Sequence, residues 1–400
     1  MASIAEREAA VFMRTGGQRA ATLVRGEGTR VWDDEGKEYL DFVAGISTVS
    51  LGHSSPVVLE ALQKQASQLI HVSNIFYTLP QIELGELLAE QSGLPRVFFV
   101  NSGAEANEGG IKLVRKWGRD HRNGASEIIT AQNAFHGRTL AAITATGTPA
   151  YSEPFAPLPA GFVHVPFNDI DALRAAVTDQ TCAILLEPVQ AEGGVNMPDP
   201  DYFAAVRRLC DEANVALFLD EIQTGMGRTG RMFGFQHYGI TPDVMTLAKG
   251  LGGGVPVAAL LANEKLAVFT PGDHGTTFGG QPLTTAVALA VLRTMVAEDI
   301  PSHAEAMGER LMGKLRSLED RHAEVLEVRG QGLLVALAFR SDLGAALVGA
   351  CRERGLLLNN VRPNALRFMP PLTVSEDEID RAVEIVEESL AAVLAEQAES

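Results

Sequence analysis

Ala216-Leu217-Phe218-Leu219-Asp220-Glu221 and Val244-Met245-Thr246-Leu247-Ala248-Lys249-Gly250 are the two runs on which the reading of this chain turns. Each opens with a short apolar run of the length of a buried strand, bounded by polar residues. Each ends on chemistry, two carboxylates in the first and a lysine in the second. Between them lies a glycine-punctuated loop, Gly225-Met226-Gly227-Arg228-Thr229-Gly230, and Gly252-Gly253-Gly254 follows the lysine. Acids and an amine at the carboxyl ends of neighbouring strands stand where open α/β sheets bind ligands.

A lysine at the end of an apolar strand can simply snorkel to water. It can also be held in a partly desolvated pocket, where its pKa falls and its amine becomes a nucleophile or imine partner. Gly250 is expected to leave room beside it for a bulky ring. Asp220 then has a task, because pyridoxal phosphate (PLP) is an electron sink only while its pyridine nitrogen stays protonated. A carboxylate paired with that nitrogen keeps the proton there.

On residues 219–230, Asp243 and Ala248-Lys249-Gly250, the chain resembles the class III aminotransferases of PLP fold type I. The resemblance implies an α/β fold with a large domain, built on a mostly parallel seven-stranded sheet, and a smaller α/β domain. On this reading residues 1–50 contribute to the small domain and 51–282 form the PLP-binding domain. Residues 283–400 supply a linking helix and the rest of the small domain.

Composition agrees with a folded enzyme. In 400 residues, 46% are hydrophobic and 21% charged, as in ordinary globular chains. A net charge of -17 argues against nucleic acid or an anionic membrane as partner, so a small anionic substrate needs locally placed arginines. Cys182, Cys210 and Cys351 are scattered and lack a CxxC spacing, which predicts no metal site and a reducing compartment. Residues 1–20 hold no uninterrupted apolar segment, and the stretch 250–262 is short and broken by Pro256. A cytoplasmic protein with no membrane span is expected.

Along the chain, Thr29–Trp32 and Glu38–Phe42 flank the acidic Asp33-Asp34-Glu35-Gly36-Lys37, a hairpin signal. Residues 44–53 read as a loop in which His53 is structural, and 56–69 as a helix. Arg96–Val100, Glu127–Ala131 and Ala183–Leu186 read as strands, and 202–213 as a helix. Alternating strands and helices predict a parallel sheet with helical crossovers. Towards the C-terminus, 283–297 reads as a helix, 333–339, 356–359 and 365–372 as strand-like, and 376–397 as a helix. Ser375 and Glu378 have the spacing of a capping box.

Several segments bear on the site. Arg96–Val100 runs into Asn101-Ser102-Gly103-Ala104 and then a helix, an arrangement whose first amides are free for an anion. Ser102 can equally be a plain N-cap. The resemblance puts the cofactor phosphate on Ser102, Gly103 and Ala104. It stacks Phe135 on the ring, backs the ring with Ile222, sets Gln223 at the phenolic oxygen, and gives Arg138 a substrate carboxylate. A planar, bidentate guanidinium suits that last role. It gives Arg367 the α-carboxylate of glutamate, masked by Glu192 while an amine donor is bound. Thr277 would reach the phosphate of a partner subunit and Thr276 would lie near substrate, so the active sites of a homodimer would be shared.

Within class III the resemblance spans nearly the whole chain and favours the acetylornithine branch, through Asp41-Phe42-Val43-Ala44-Gly45-Ile46 and Ser73-Asn74-Ile75-Phe76-Tyr77. Ile46 stands where ornithine enzymes tend to carry tyrosine, and an apolar wall suits an acylated α-amine better than an ammonium. The reaction implied moves the δ-amino group of N2-acetylornithine to 2-oxoglutarate, with Lys249 as imine partner and general base. Ser47-Thr48-Val49-Ser50 and Ala191 depart from that branch. They leave open N-succinylornithine, ornithine, 4-aminobutyrate and carrier-linked aminoadipate semialdehyde. An aminomutase and a PLP-binding protein without turnover are the rival classes.

Overall fold

The computed structural model describes residues 2–17 and 19–399. Thr181–Leu186, Ala216–Asp220 and Val244–Leu247 are strands in which every residue is buried. Their side chains alternate between two cores, as a pleated strand requires. Ala183, Leu185, Ala216 and Phe218 share one cluster with Ile111, Val114 and Trp117 of the Gly103–His121 helix. Ile184, Leu186, Leu217 and Leu219 join the other, with Phe203, Val206 and Leu209 of the Tyr202–Ala213 helix. Strands covered on both faces need continuous apolar runs, which is why these were legible. Gly110 lets the first helix come close, since a Cβ there would meet the Phe218 ring at 2.3 Å.

The seven-stranded sheet runs Arg96–Val100, Ala258–Ala262, Val244–Leu247, Ala216–Asp220, Thr181–Leu186, Glu127–Ala131, Phe162–Val165. Only Ala258–Ala262 is antiparallel, to both of its neighbours; the rest are parallel. The ends of the Ala216–Asp220 and Val244–Leu247 strands are therefore adjacent, as the opening motif required. Asp243 ties them together by accepting from the Leu217 N–H, Arg207 and Asn263.

Two four-stranded sheets complete the fold. In one, Leu23–Glu27, Arg30–Asp33 and Glu38–Asp41 are antiparallel, and Leu356–Leu357 adds in parallel to Glu38–Asp41. In the other, Val325–Gln331, Leu334–Phe339, Ala365–Phe368 and Asn359–Arg362 pair antiparallel. The expected strand at 356–359 is thus two strands in two sheets, divided at Leu358. The expected helix at 56–69 is Pro56–Ala66. Ser375 and Glu378 do exchange the two hydrogen bonds of a capping box. Among the described residues no helix is long and apolar enough to cross a membrane.

Candidate active site

The carboxyl ends of the central strands open into a cavity of about 460 Å³. Lys249, Asp220, Ser102, Gly103, Ala104, Phe135, Arg138, Ile222 and Gln223 all line it. Glu192 and Arg367 adjoin it through Gln223, whose Nε2 donates to Glu192 at 3.1 Å.

Asp220 ends its strand almost fully buried. Its Oδ1 accepts the Ile222 N–H at 3.0 Å and its Oδ2 the Asn107 amide at 2.7 Å. His136 Nδ1 lies 2.8 Å from the same Oδ2, and its Nε2 lies 3.2 Å from the Thr130 hydroxyl. With Asp220 ionised, Nδ1 carries the proton and Nε2 accepts from Thr130. Thr246, on the neighbouring strand, donates to Asn107 Oδ1. A buried carboxylate held by an amide, an imidazole and a backbone N–H is oriented before anything binds. His136 and Asn107 were not singled out in the sequence; for Asn107 the available signal was an amide on the buried face of the Gly103–His121 helix, and for His136, in the loop after Glu127–Ala131, there was none.

Lys249 stands just beyond its strand, opening a short 3₁₀ turn with φ +38°. Burial pushes its ammonium down to about 8, with Arg367 helping and Glu192, Asp220 and Glu187 opposing. The snorkelling alternative does not hold, because the amine faces the cavity. The expected role of Gly250 needs correction: a Cβ there would meet Met226 at 3.1 Å and Ser50 at 3.7 Å, so the space serves packing. Ser50 donates to the Gly250 carbonyl at 3.0 Å, tying the 44–50 segment to the lysine turn.

That segment is a left-handed turn, not an ordinary loop. Ala44, Gly45, Ile46 and Ser47 have φ of +48°, +62°, +60° and +65°. For the three non-glycine residues such backbone costs roughly 1–2 kcal/mol each, and strain of this kind clusters at functional sites. Asp41 holds its start: Oδ1 accepts the Val43 and Ala44 N–H groups, while Oδ2 lies 2.7 Å from His53 Nε2. His53 is the structural histidine expected. Ile46 is exposed and lies outside the cavity lining, which its neighbour Thr48 joins.

Glu187, also unforeseen, is buried in the cavity wall and accepts the Phe135 N–H at 3.1 Å. Burial and the nearby Asp220 raise its pKa well above the carboxylate range. Glu221 is buried too, and burial lifts it to about 7. It accepts from Thr224, Gly234 and Phe235, pinning the loop beyond the strand.

The donor set fits the cofactor implied by the resemblance. The Gly103 and Ala104 N–H groups open the 103–121 helix without intrahelical partners, an anion site aligned with the helix dipole. Ser102 caps that helix through Glu105 N at 3.3 Å, so the plain N-cap reading holds as well. Gly103 admits Ile222, whose Cδ1 would sit 2.7 Å from an added Cβ. Among the described residues, Gln223 Oε1 is buried without a partner, an acceptor for a hydroxyl.

The two arginines are in opposite states. Arg367 is 1% exposed; its Nη1 donates to Glu192 Oε1 at 2.7 Å and to the Ala191 carbonyl at 3.1 Å. The surface-residue alternative for it is therefore wrong. Burial works to raise the Glu192 pKa, and Arg367 overcomes it, leaving the carboxyl below its usual range. Arg138 is exposed and, among the described residues, has no carboxylate within ion-pair distance. Thr276 receives the Asn101 amide at 3.4 Å, whereas Thr277 is exposed and away from its own chain's cavity.

A family model described as aminotransferase class-III matches residues 12–390. The acetylornithine aminotransferase of Caldanaerobacter subterraneus subsp. tengcongensis is 51% identical over 372 residues, 93% of this chain and 95% of that one. The ornithine aminotransferase structure from Toxoplasma gondii, described with PLP at partial occupancy in its active site, superposes with TM-score 0.94 at 35% identity, covering 98% and 94%. The acetylornithine aminotransferase structure from Elizabethkingia anophelis gives 0.86 at 35%, covering 97% and 98%. A strand-end lysine facing an oriented carboxylate, inside this fold and at these identities, is decisive: the chain belongs to the class-III aminotransferases, whose cofactor is pyridoxal phosphate.

Proposed function

We propose that the chain moves the δ-amino group of N2-acetylornithine to 2-oxoglutarate, giving N-acetylglutamate 5-semialdehyde and glutamate. The observation that carries this is the pairing of a desolvated lysine with two arginines, one unpaired and one masked by a glutamate. When bound, pyridoxal phosphate supplies an aldehyde and a ring that accepts electron density from the substrate carbon. Lys249, with its proton affinity lowered to about 8, takes a proton from the substrate carbon as a general base near neutral pH. Asp220 would hold the proton at the ring nitrogen, and its supports at Asn107 and His136 keep the carboxylate in place. Ser102, Gly103 and Ala104 would hold the phosphate, Phe135 and Ile222 would flank the ring, and Gln223 would meet its phenolic oxygen.

Arg138 takes the carboxylate of the acylated amino acid while Glu192 occupies Arg367. In the second half-reaction the α-carboxylate of 2-oxoglutarate, and of the glutamate it becomes, displaces Glu192. Ile46 and Thr276, outside the cavity lining, would meet an acyl group that reaches past the cavity mouth. We further propose a homodimer in which Thr277 serves the partner's phosphate. Exposed apolar side chains at Ile75, Phe76, Leu79 and Phe278, with Tyr77 96% exposed, on segments that Asn74 joins through the Thr276 and Gly279 carbonyls, support association. Domain limits near residues 50 and 282 and a cytoplasmic setting, in keeping with three free cysteines, complete the reading.

The test is single-turnover bleaching of the cofactor absorbance by acetylornithine, succinylornithine, ornithine, lysine and 4-aminobutyrate. Fastest bleaching by acetylornithine, with multiple turnover dependent on 2-oxoglutarate, is expected. Turnover without an oxo acid means an aminomutase, and cofactor binding without bleaching by any donor means a protein without turnover.

A further inference from the structure

Arg138 poses a positioning problem. Its side chain is exposed, no carboxylate holds it, and none of its N–H groups donates to another described residue. A long side chain in that condition samples many rotamers and loses that freedom on binding, which weakens the grip on a ligand. The backbone after it is fixed. The Thr139 hydroxyl and the Ala141 and Ala142 N–H groups all donate to Glu108 Oε1. Among the described residues, the guanidinium stands against two aromatic rings. Its Cζ lies 4.0 Å from the Tyr151 ring centroid and 5.5 Å from that of Phe135.

Phe135 lines the cavity with Arg138; Tyr151 does not. Tyr151 comes from the short Pro149–Ser152 turn, is 40% exposed, and its hydroxyl has no partner among the described residues. We propose that Tyr151 is a positioning residue for substrate selection, a ring that holds the Arg138 guanidinium by its face. Its N–H edges are left free for the carboxylate of the acylated amino acid. A guanidinium offers donors only in its plane, so contact on its face restricts motion without spending a donor. The ring is the working part and the hydroxyl is not. The inference rests on the proposed role of Arg138.

The experiment uses the holoenzyme and four chains: wild type, Tyr151→Leu, Tyr151→Phe and Arg138→Ala. Single-turnover kinetics are measured separately with acetylornithine and with glutamate. Calorimetric binding of N-acetylnorvaline, an acylated amino acid with no δ-amine, gives a readout independent of turnover. For Tyr151→Leu, loss of a partly exposed cation–π contact should weaken acetylornithine and N-acetylnorvaline by roughly three- to tenfold. The glutamate half-reaction, whose α-carboxylate goes to Arg367, should lose less. Tyr151→Phe should restore the affinity lost in the leucine variant. Wild-type affinities in Tyr151→Leu alongside a large loss in Arg138→Ala would overturn the inference and leave the function standing. Equal losses in the phenylalanine and leucine variants would mean a hydroxyl contact, and equal losses in both half-reactions a general disturbance; either overturns it. An Arg138→Ala enzyme that handles acetylornithine normally would overturn the reading of Arg138 itself.

Discussion

Replacing Arg367 by alanine should split the two half-reactions. Arg367 is buried, and its Nη1 is shared between Glu192 Oε1 at 2.7 Å and the Ala191 carbonyl at 3.1 Å. An incoming α-carboxylate that takes the place of Glu192 gains charge-assisted hydrogen bonds from a guanidinium already desolvated. Two such bonds at about 1.5–3 kcal/mol each, less the cost of moving Glu192 aside, leave a net of about 3–4 kcal/mol. That predicts a fall in kcat/KM for 2-oxoglutarate, as for glutamate in reverse, of roughly 10²- to 10³-fold, at about 1.4 kcal/mol per decade. The acetylornithine half-reaction, carried by Arg138, should fall by less than about tenfold, through the altered charge around Lys249. Stopped-flow bleaching measures the first half, and regeneration from the pyridoxamine form with 2-oxoglutarate measures the second. Removing one partner of a buried pair also destabilises, by about 3–5 kcal/mol when fully enclosed. Here the Glu192 side chain is 30% exposed and keeps Gln223, so about 1–2 kcal/mol is expected. Arg367→Lys keeps the charge and serves as the folding control. Equal losses in both half-reactions would refute the separation of carboxylate sites.

Three further outcomes follow from the geometry. Lys249→Met in the apoenzyme should raise stability at pH 7 by up to about 3 kcal/mol, because the native lysine is held at about 8 against an ordinary 10.5. A folded-state pKa below the unfolded one means that the wild type gains stability as pH rises from 8 towards 10.5, so the gap measured by urea unfolding should close over that window. Asp220→Asn keeps the shape but cannot keep the ring nitrogen protonated, so kcat should drop by about 10³-fold or more with cofactor affinity less affected; loss of cofactor with unchanged kcat in the loaded fraction would contradict it. Gly103→Ala should push Ile222 into the ring site, since the new Cβ would stand 2.7 Å from its Cδ1, and weaken PLP retention on dialysis while the melting temperature changes little.

The sequence was most legible where one rule acted alone. Fully buried parallel strands need unbroken apolar runs, so Ala216–Asp220 and Val244–Leu247 stood out with the residues at their ends. Phe162–Val165, a sheet edge interrupted by His164, and Ala258–Ala262, a run of small residues beyond a glycine tract, carry no such contrast. The helices Leu79–Ser92 and Ile300–Glu319 are also hard to read, because small and polar residues interrupt their apolar stripes. In the site, Lys249, Asp220 and Arg367 were readable as charges in apolar company. Glu187 was not, because a glutamate before a proline gives no hint that it will be enclosed and bound to the Phe135 N–H. Nor was the left-handed turn at 44–47, where Ala, Ile and Ser adopt a backbone that none of them favours and that only Asp41, His53 and the packed surroundings impose.

The most direct test is reduction of the PLP-loaded enzyme with borohydride, followed by proteolysis and mass spectrometry. The reduced cofactor should be found on the peptide carrying Lys249, at one equivalent per chain, with loss of the yellow colour. Cofactor mass on another lysine, or on none, would contradict the assignment from which every other role in the site is derived.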